Sequence, residues 1–410
     1  MGLAKLVCTG CSCLCDDIDV ELQGNHIARI TNACGQGAAY ISASEVAECR
    51  STSTINGLST PVNEAISQAA HLLQRASSPL IFGLDRTTLE AQAVGIELAQ
   101  SLGAVIDDNS SLHYGDLIQR INSGDLPTCS LSQVKDADLI IYWGANPQHS
   151  HPRHLSHFTY YAHERYREII SEPEVTLVSI DIRDTETSFL YNSSFKIQHR
   201  GDKDFINEIL STISGIGGTE RSRALVQLME RSTFGVIFVG LGLNSALGND
   251  FTLFSEMVHA LGSLTHLAVI PMVDDFNMRG FTHLLYDKTG YVNSVNFTSG
   301  ISHGENDSFW ERIRNKASDC ILVVASDIIS SLPHGLIRNL RGTDIICITP
   351  FVTPTAEVAE VVIGTAVPGV ETEGNALRMG GEPILLPQSR TTERPGDAEV
   401  LRQLLDRVNQ

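Results

Sequence analysis

Short β-branched runs alternate along this chain with stretches whose apolar residues recur at helical spacing. The runs Leu80 to Leu84, Asp138 to Gly144, Val175 to Ile182, Phe234 to Gly242, Cys320 to Asp327 and Ile345 to Thr349 are almost continuously apolar. Strands buried on both faces of a parallel sheet read this way. Between them, residues 62–75 place Ala65, Ile66, Ala69, Leu72 and Leu73 on one helical face, and 88–102, 203–212 and 222–230 keep the same period. The alternation predicts a doubly wound α/β architecture. A Ser/Thr-rich stretch, Ser51 to Ser59, reads as a linker closing a small N-terminal domain at 1–55. The remainder is expected to divide into α/β lobes, 56–135 with 305–410 as one set and a Rossmann-like lobe at 136–304.

Composition narrows the classes of function. The 410 residues are enough for two or three domains. With 42% apolar and 19% charged residues the chain is ordinarily globular, and no apolar run reaches the length of a membrane span. The formal net charge of -19 would repel a phosphate backbone, which argues against nucleic-acid binding. The first residues carry no apolar signal core, so a reducing cytoplasm is the expected compartment and the nine cysteines are expected as thiols rather than disulfides.

Four of those cysteines, Cys8, Cys11, Cys15 and Cys34, fall in a C-x2-C-x3-C-x18-C pattern. Three thiolates crowded into one loop and a fourth from a glycine-rich one suit a four-iron four-sulfur cluster. A structural zinc site and inert buried thiols are the competing readings. Cys13, Cys49, Cys129, Cys320 and Cys347 read as packing thiols. Ligands of open α/β sheets collect at the carboxyl ends of strands. Here those ends are polar and glycine-rich: Gly144-Ala145-Asn146-Pro147, Asp181-Ile182-Arg183-Asp184-Thr185, Ser326-Asp327, and Gly240 with Gly242. Together they suit a large phosphorylated cofactor, although each alone also suits a capped turn. The segment His149-Ser150-His151-Pro152-Arg153-His154-Leu155-Ser156-His157 invites a metal reading; its spacing instead favours a solvated loop or a channel wall. Nucleophile elbow, Walker loop and His-Glu-x-x-His motifs are absent from the sequence.

Three stretches together resemble one known family. They are Val7-Cys8-Thr9-Gly10-Cys11 through Cys15-Asp16-Asp17 to Cys34; Tyr142-Trp143-Gly144-Ala145-Asn146-Pro147 with Ser150-His151-Pro152-Arg153-His154; and Thr365-Ala366-Val367-Pro368-Gly369-Val370-Glu371 with Glu373-Gly374-Asn375-Ala376-Leu377-Arg378-Met379. The chain is similar to the B-type subunit of formylmethanofuran dehydrogenase, of the molybdopterin oxidoreductase superfamily. The resemblance implies an iron-sulfur cluster beside a pterin-type crevice holding a tungsten or molybdenum bis-pterin that reduces carbon dioxide to formate. It adds Asn277, Gly369, Glu373 and Arg378 to the candidate cofactor-binding positions. It also implies partner subunits of the A, C and D type, acting on methanofuran and tetrahydromethanopterin carriers. The superfamily's single-chain enzymes end in a β-barrel; this chain stops about 30 residues past the last signature, so the barrel is expected on another chain, across an interface above roughly 2,000 Å².

The departures from the family pattern carry the functional expectation. A Ser-Val-Cys-His-Gly-Pro stretch, which supplies the metal-binding thiolate in the dehydrogenases, reads Ser111-Leu112-His113-Tyr114-Gly115-Asp116 here. The Pro-Met-Arg-Gly-His-Tyr-Asn stretch reads Pro271-Met272-Val273-Asp274-Asp275-Phe276-Asn277, which puts Val273 in the place of an anion-holding arginine. With His113, Tyr114 and Val273 at the three reactive positions, the expectation is a non-redox scaffold subunit like that of the bacterial formyltransferase/hydrolase complex. The alternative is a working tungsten or molybdenum enzyme interconverting CO2 and formate or formylmethanofuran.

Overall fold

The computed structural model describes residues 2–160 and 175–410. It is an α/β chain whose residues form two compact units: residues 1–112, 275–377 and 383–410 in the first, and 113–274 with 378–382 in the second.

The first unit is built on a nine-stranded sheet. Its centre is parallel: Val105–Asp107, Pro79–Gly83, Cys320–Val324, Asp344–Thr349 and Val361–Gly364 lie side by side in that order. Three of them, Pro79–Gly83, Cys320–Val324 and Asp344–Thr349, match the continuously apolar runs, and the strands are buried on both faces because helices cover both. On one face the helices Val62–Arg75, Leu89–Leu102 and Asp397–Val408 pack Ile66, Leu73, Leu98, Leu401 and Leu404 onto the sheet. The opposite face is closed by Phe309, Ile313, Ile328 and Leu340. Short antiparallel strands finish each edge, Val295–Asn296 and Ser302–His303 on one side and Thr54–Ile55 and Leu58–Ser59 on the other.

Residues 1–55 fall within this unit. A three-stranded antiparallel sheet, Gly2–Leu6, Ile18–Gln23 and His26–Thr31, carries the cysteine loop between its first two strands. What ties it down is a buried ion group. Arg50 donates to both oxygens of Glu371, at 2.9 and 2.7 Å, and to the carbonyls of Ser44, Pro350 and Thr365. Arg390 donates to the same carboxylate at 2.5 Å and to Glu45. Burial alone would raise the Glu371 carboxyl; Arg50, the Val367 N–H and Arg390 hold it below the usual range.

The second unit carries a five-stranded sheet in the spatial order Ser193–Lys196, Thr176–Asp181, Leu139–Trp143, Phe234–Val239, His266–Pro271, every pairing parallel. In chain order this is 3-2-1-4-5, a Rossmann-type winding whose direction reverses between the first and fourth strands. The main stretch of this unit runs from His113 to Asp274, where the helix-and-strand pattern suggested a lobe at 136–304. The early start follows from the helix Gly115–Asn122, with Leu117, Ile118 and Ile121 buried, and from Asn244 of this unit accepting from the Tyr114 N–H at 2.9 Å.

Candidate functional site

The cysteine loop is positioned by its own backbone. The Cys8 N–H donates to the Cys15 carbonyl at 2.9 Å and the Leu14 N–H to that of Cys11 at 3.1 Å, folding the three cysteines into one turn. Cys34 enters from the helix Gly35–Ala43, which it caps by accepting the Gly37 N–H on its sulfur at 3.4 Å. Gly37 is where the two segments meet: a Cβ there would lie 2.7 Å from Cys8 Sγ and 3.7 Å from Cys34 Sγ. Cys13, read from sequence as a spare thiol, is fully buried in the same group, and its thiol is pushed well up by a hydrogen bond to Cys11, by burial and by the neighbouring Cys11, Cys15 and Cys8. All nine cysteines are free thiols. Gly37 leaves open, beside Cys8 and Cys34, the space a side chain would fill.

In the second unit, the glycine-rich strand ends form one cavity of about 330 Å³. It lies where the strand order reverses. Gly144, at φ +58°, lies so close to Gly242 and Leu243 that a Cβ would collide with their backbone, and the Gly242 N–H donates to the Gly144 carbonyl at 2.9 Å. Gly144, Asn146, Asp181, Arg183, Thr185 and Gly242 all line this cavity. Asp181, at the end of the second strand, stands where a Rossmann carboxylate reads a ribose hydroxyl. His199, Arg200, Asp202 and Ser245 line it too and were missed, because the short polar strand Ser193–Lys196 that delivers the first three gives no apolar signal. Asp202 accepts from Trp143 Nε1 at 2.8 Å, and burial, opposed by that bond, raises its carboxyl.

The remaining candidates are elsewhere. Pro147 opens the short helix after Asn146, and Gly240 packs on Gly144 and Ala145. Asn277 is fully buried and spends its amide on backbone, donating to the Thr87 carbonyl at 2.7 Å and accepting from the Leu377 N–H at 2.8 Å. Gly369, at φ +75°, lies against Thr9 and the Val7 carbonyl, so it seats the cysteine loop. Glu373 lines a separate cavity with Thr88, Glu90 and Asp397. Arg378 lies 5.6 Å over the Phe158 ring.

His113, Tyr114 and Val273 come together around the strip 272–274. Tyr114, left-handed at φ +70°, donates its hydroxyl to the Met272 carbonyl at 3.2 Å. Burial lowers the His113 pKa against the opposing Asp274, which keeps the imidazole neutral, and its Nδ1 is buried without a partner. Val273 is fully buried, and its carbonyl lies 3.0 Å from His151 Nε2. No thiolate and no guanidinium occupies these three positions, so they do not fit a thiolate-ligated metal pterin. The histidine-rich segment, expected as a solvated loop or a channel wall, is partly buried. His151 and His154 are fully buried, His154 packing edge-on against Phe238 at 4.7 Å.

The first unit has a cavity of about 310 Å³ that the sequence reading did not assemble. It lies at the carboxyl ends of Pro79–Gly83 and Cys320–Val324 and is lined by Tyr40, Arg86, Asn109, Asp275, Ser326 and Asp327. Arg86 donates to Asp275 at 2.5 Å, and Asn109 donates to both Asp85 and Asp275 at 3.0 Å. Burial and the nearby Asp275 push the Asp85 carboxyl well up.

No protein-family profile matches the chain. It is 30% identical, over 99% of its length and 98% of the relative's, to the B-type subunit of the tungsten-containing formylmethanofuran dehydrogenase 2 of Methanocaldococcus jannaschii. It is 26% identical over the same shares to the protein of that name from Methanococcus maripaludis. Among solved structures, the formyltransferase/hydrolase complex of Methylorubrum extorquens with methylofuran matches 87% of the chain and 99% of its own, at TM-score 0.69 and 22% identity. Acetylene hydratase of Pelobacter acetylenicus matches 99% of the chain and 69% of its own, at TM-score 0.66 and 10% identity.

Proposed function

The chain belongs to the family of B-type subunits of formylmethanofuran dehydrogenase, and from that premise we propose that it is a non-redox scaffold subunit of a formylmethanofuran dehydrogenase-like, formyltransferase/hydrolase-type complex in tetrahydromethanopterin-linked one-carbon metabolism. The observation that carries this reading is the trio His113, Tyr114 and Val273. A neutral imidazole is a poor substitute for an anionic sulfur ligand on a bis-dithiolene metal. Valine, with its carbonyl already facing His151, offers nothing to a carboxylate or to developing negative charge. The cavity at Gly144 and Gly242 keeps the form of a nucleotide pocket, which supports an ancestry in pterin-dinucleotide binding. Subunits of the A, C and D type are the partners.

The second reading, an active tungsten or molybdenum subunit, is favoured by the tungsten-containing relative in Methanocaldococcus jannaschii. Metal analysis of the anaerobically purified complex separates the two. The scaffold reading expects neither tungsten nor molybdenum and no formate oxidation with viologen dyes, and His113→Cys alone restores none. Stoichiometric tungsten or molybdenum, or viologen-linked activity that survives removal of contaminating dehydrogenases, overturns it.

Cys8, Cys11, Cys15 and Cys34 would hold a four-iron four-sulfur cluster, which when bound supplies electron transfer or, without a redox partner, a structural crosslink. A cluster is favoured over zinc by spacing. Four-cysteine zinc sites usually show two short cysteine pairs, whereas here three cysteines crowd one loop and the fourth stands apart in sequence.

A further inference from the structure

The helix Met278–Thr289 of the first unit begins with a charge of the wrong sign in the wrong medium. Its first turn contains no acidic residue, although a helix N-terminus carries partial positive charge. Instead it contains Arg279, a second positive charge, only 5% exposed. Its cap gives no relief, because the Asn277 side chain is spent on Thr87 and Leu377 and makes no bond to the helix.

Arg279 also stands alone. Neither its Nε nor its Nη1 has a hydrogen-bond partner, and among the described residues no carboxylate pairs with it. Burial pushes its guanidinium down to about 10, and no neighbouring charge opposes the shift. At neutral pH it is still a cation. Other buried arginines of the same unit show what such a group normally finds. Arg50, at 6% exposure, reaches Glu371 and three carbonyls. Arg312, at 7%, reaches the Ser318 and Ser78 hydroxyls and the Ala317 carbonyl. A buried cation without acceptors is costly to hold, and an anion at the same helix end would offset the desolvation, the missing acceptors and the dipole together.

We propose that Arg279 and the first turn of its helix form a binding site for an oxyanion, a carboxylate or phosphate group presented by a small ligand or by an acidic side chain of a neighbouring subunit. The planar fork of the guanidinium matches two oxygens of such a group. The site stands whether or not the protein is redox-active, since none of His113, Tyr114 and Val273 enters it.

The thermal midpoint of the purified complex in sodium formate or inorganic phosphate, against sodium chloride at equal ionic strength, tests this. For a small ligand, formate or phosphate raises the wild-type midpoint by a few degrees. Arg279→Met removes that response and leaves the midpoint in chloride unchanged or higher, because an unpaired buried charge has been removed. Arg279→Lys keeps the response but needs at least about tenfold more anion, since it cannot bind bidentately. For a side chain from a neighbouring subunit, neither anion moves the complex, and Arg279→Met weakens assembly by at least about tenfold. The site does not exist if Arg279→Met responds to both anions as wild type does and assembles as tightly. It is equally refuted if Arg279→Met lowers the midpoint in chloride, which would mean that the guanidinium is already engaged within the chain.

Discussion

Glu371 and Asp397 are both about 4% exposed, yet their surroundings shift them in opposite directions. Glu371 sits between two guanidinium groups and remains a carboxylate. Neither Asp397 oxygen has a hydrogen-bond partner of good geometry, and burial, only weakly opposed by the neighbouring Thr365 hydroxyl, pushes its carboxyl up to about 7. A raised folded-state pKa means that the native chain holds a proton the unfolded chain has already released. Between the unfolded value near 4 and the folded value, stability from this group falls as pH rises. Urea unfolding of the wild type should therefore lose on the order of 2 kcal/mol from this group between pH 5 and pH 8. Asp397→Asn should flatten that component and be neutral or stabilising at pH 8. An unchanged pH slope in the variant would show that Asp397 stays hydrated.

At the scale of elements, the legible features were those that depend on burial from both sides. Runs such as Leu139–Trp143 and Cys320–Val324 are buried along their whole length, so their apolar continuity survives in the sequence. Edge strands such as Ser193–Lys196, with one buried residue of four, leave no such trace. For that reason His199, Arg200 and Asp202 were missing from a pocket whose other walls could be read. Motif adjacency also misleads: Asn277 and Gly369 lie in family-like stretches, but here one braces backbone and the other seats a loop. Gly37 shows how a helix can be written around a group of thiols. A Cβ at that position would press on the Cys8 sulfur at 2.7 Å. Gly37→Ala should cut the iron bound by anaerobically prepared protein from about four per chain to below one, while circular dichroism keeps its α/β signature. Full iron occupancy in this variant would mean that Cys8 does not bind at that corner.

For the whole molecule, the fold class was readable, and the turn from one unit into the other falls at Leu112 and His113, inside a motif rather than in a linker. Among the described residues, no helix is long and apolar enough to cross a membrane. The first unit leaves Leu58 73% and Leu385 61% exposed, the former on a short edge strand of its sheet. Exposed apolar edge strands invite another chain. Expressed alone, the protein should self-associate or precipitate, and co-expression with its partner subunits should give one monodisperse species by light scattering; a soluble lone monomer would count against an obligate role in a complex. The insertion of one unit within the other also sets a schedule for biosynthesis. The strands of the second unit are contiguous between Leu139 and Pro271, whereas Pro79–Gly83 must await its neighbour Cys320–Val324. At ordinary rates of chain growth that wait is on the order of tens of seconds. Arg50 remains without its carboxylate until Glu371 has left the ribosome. The inserted unit can thus mature while the nascent chain is still growing, and the cysteine loop, seated on Gly369, is among the last parts to settle.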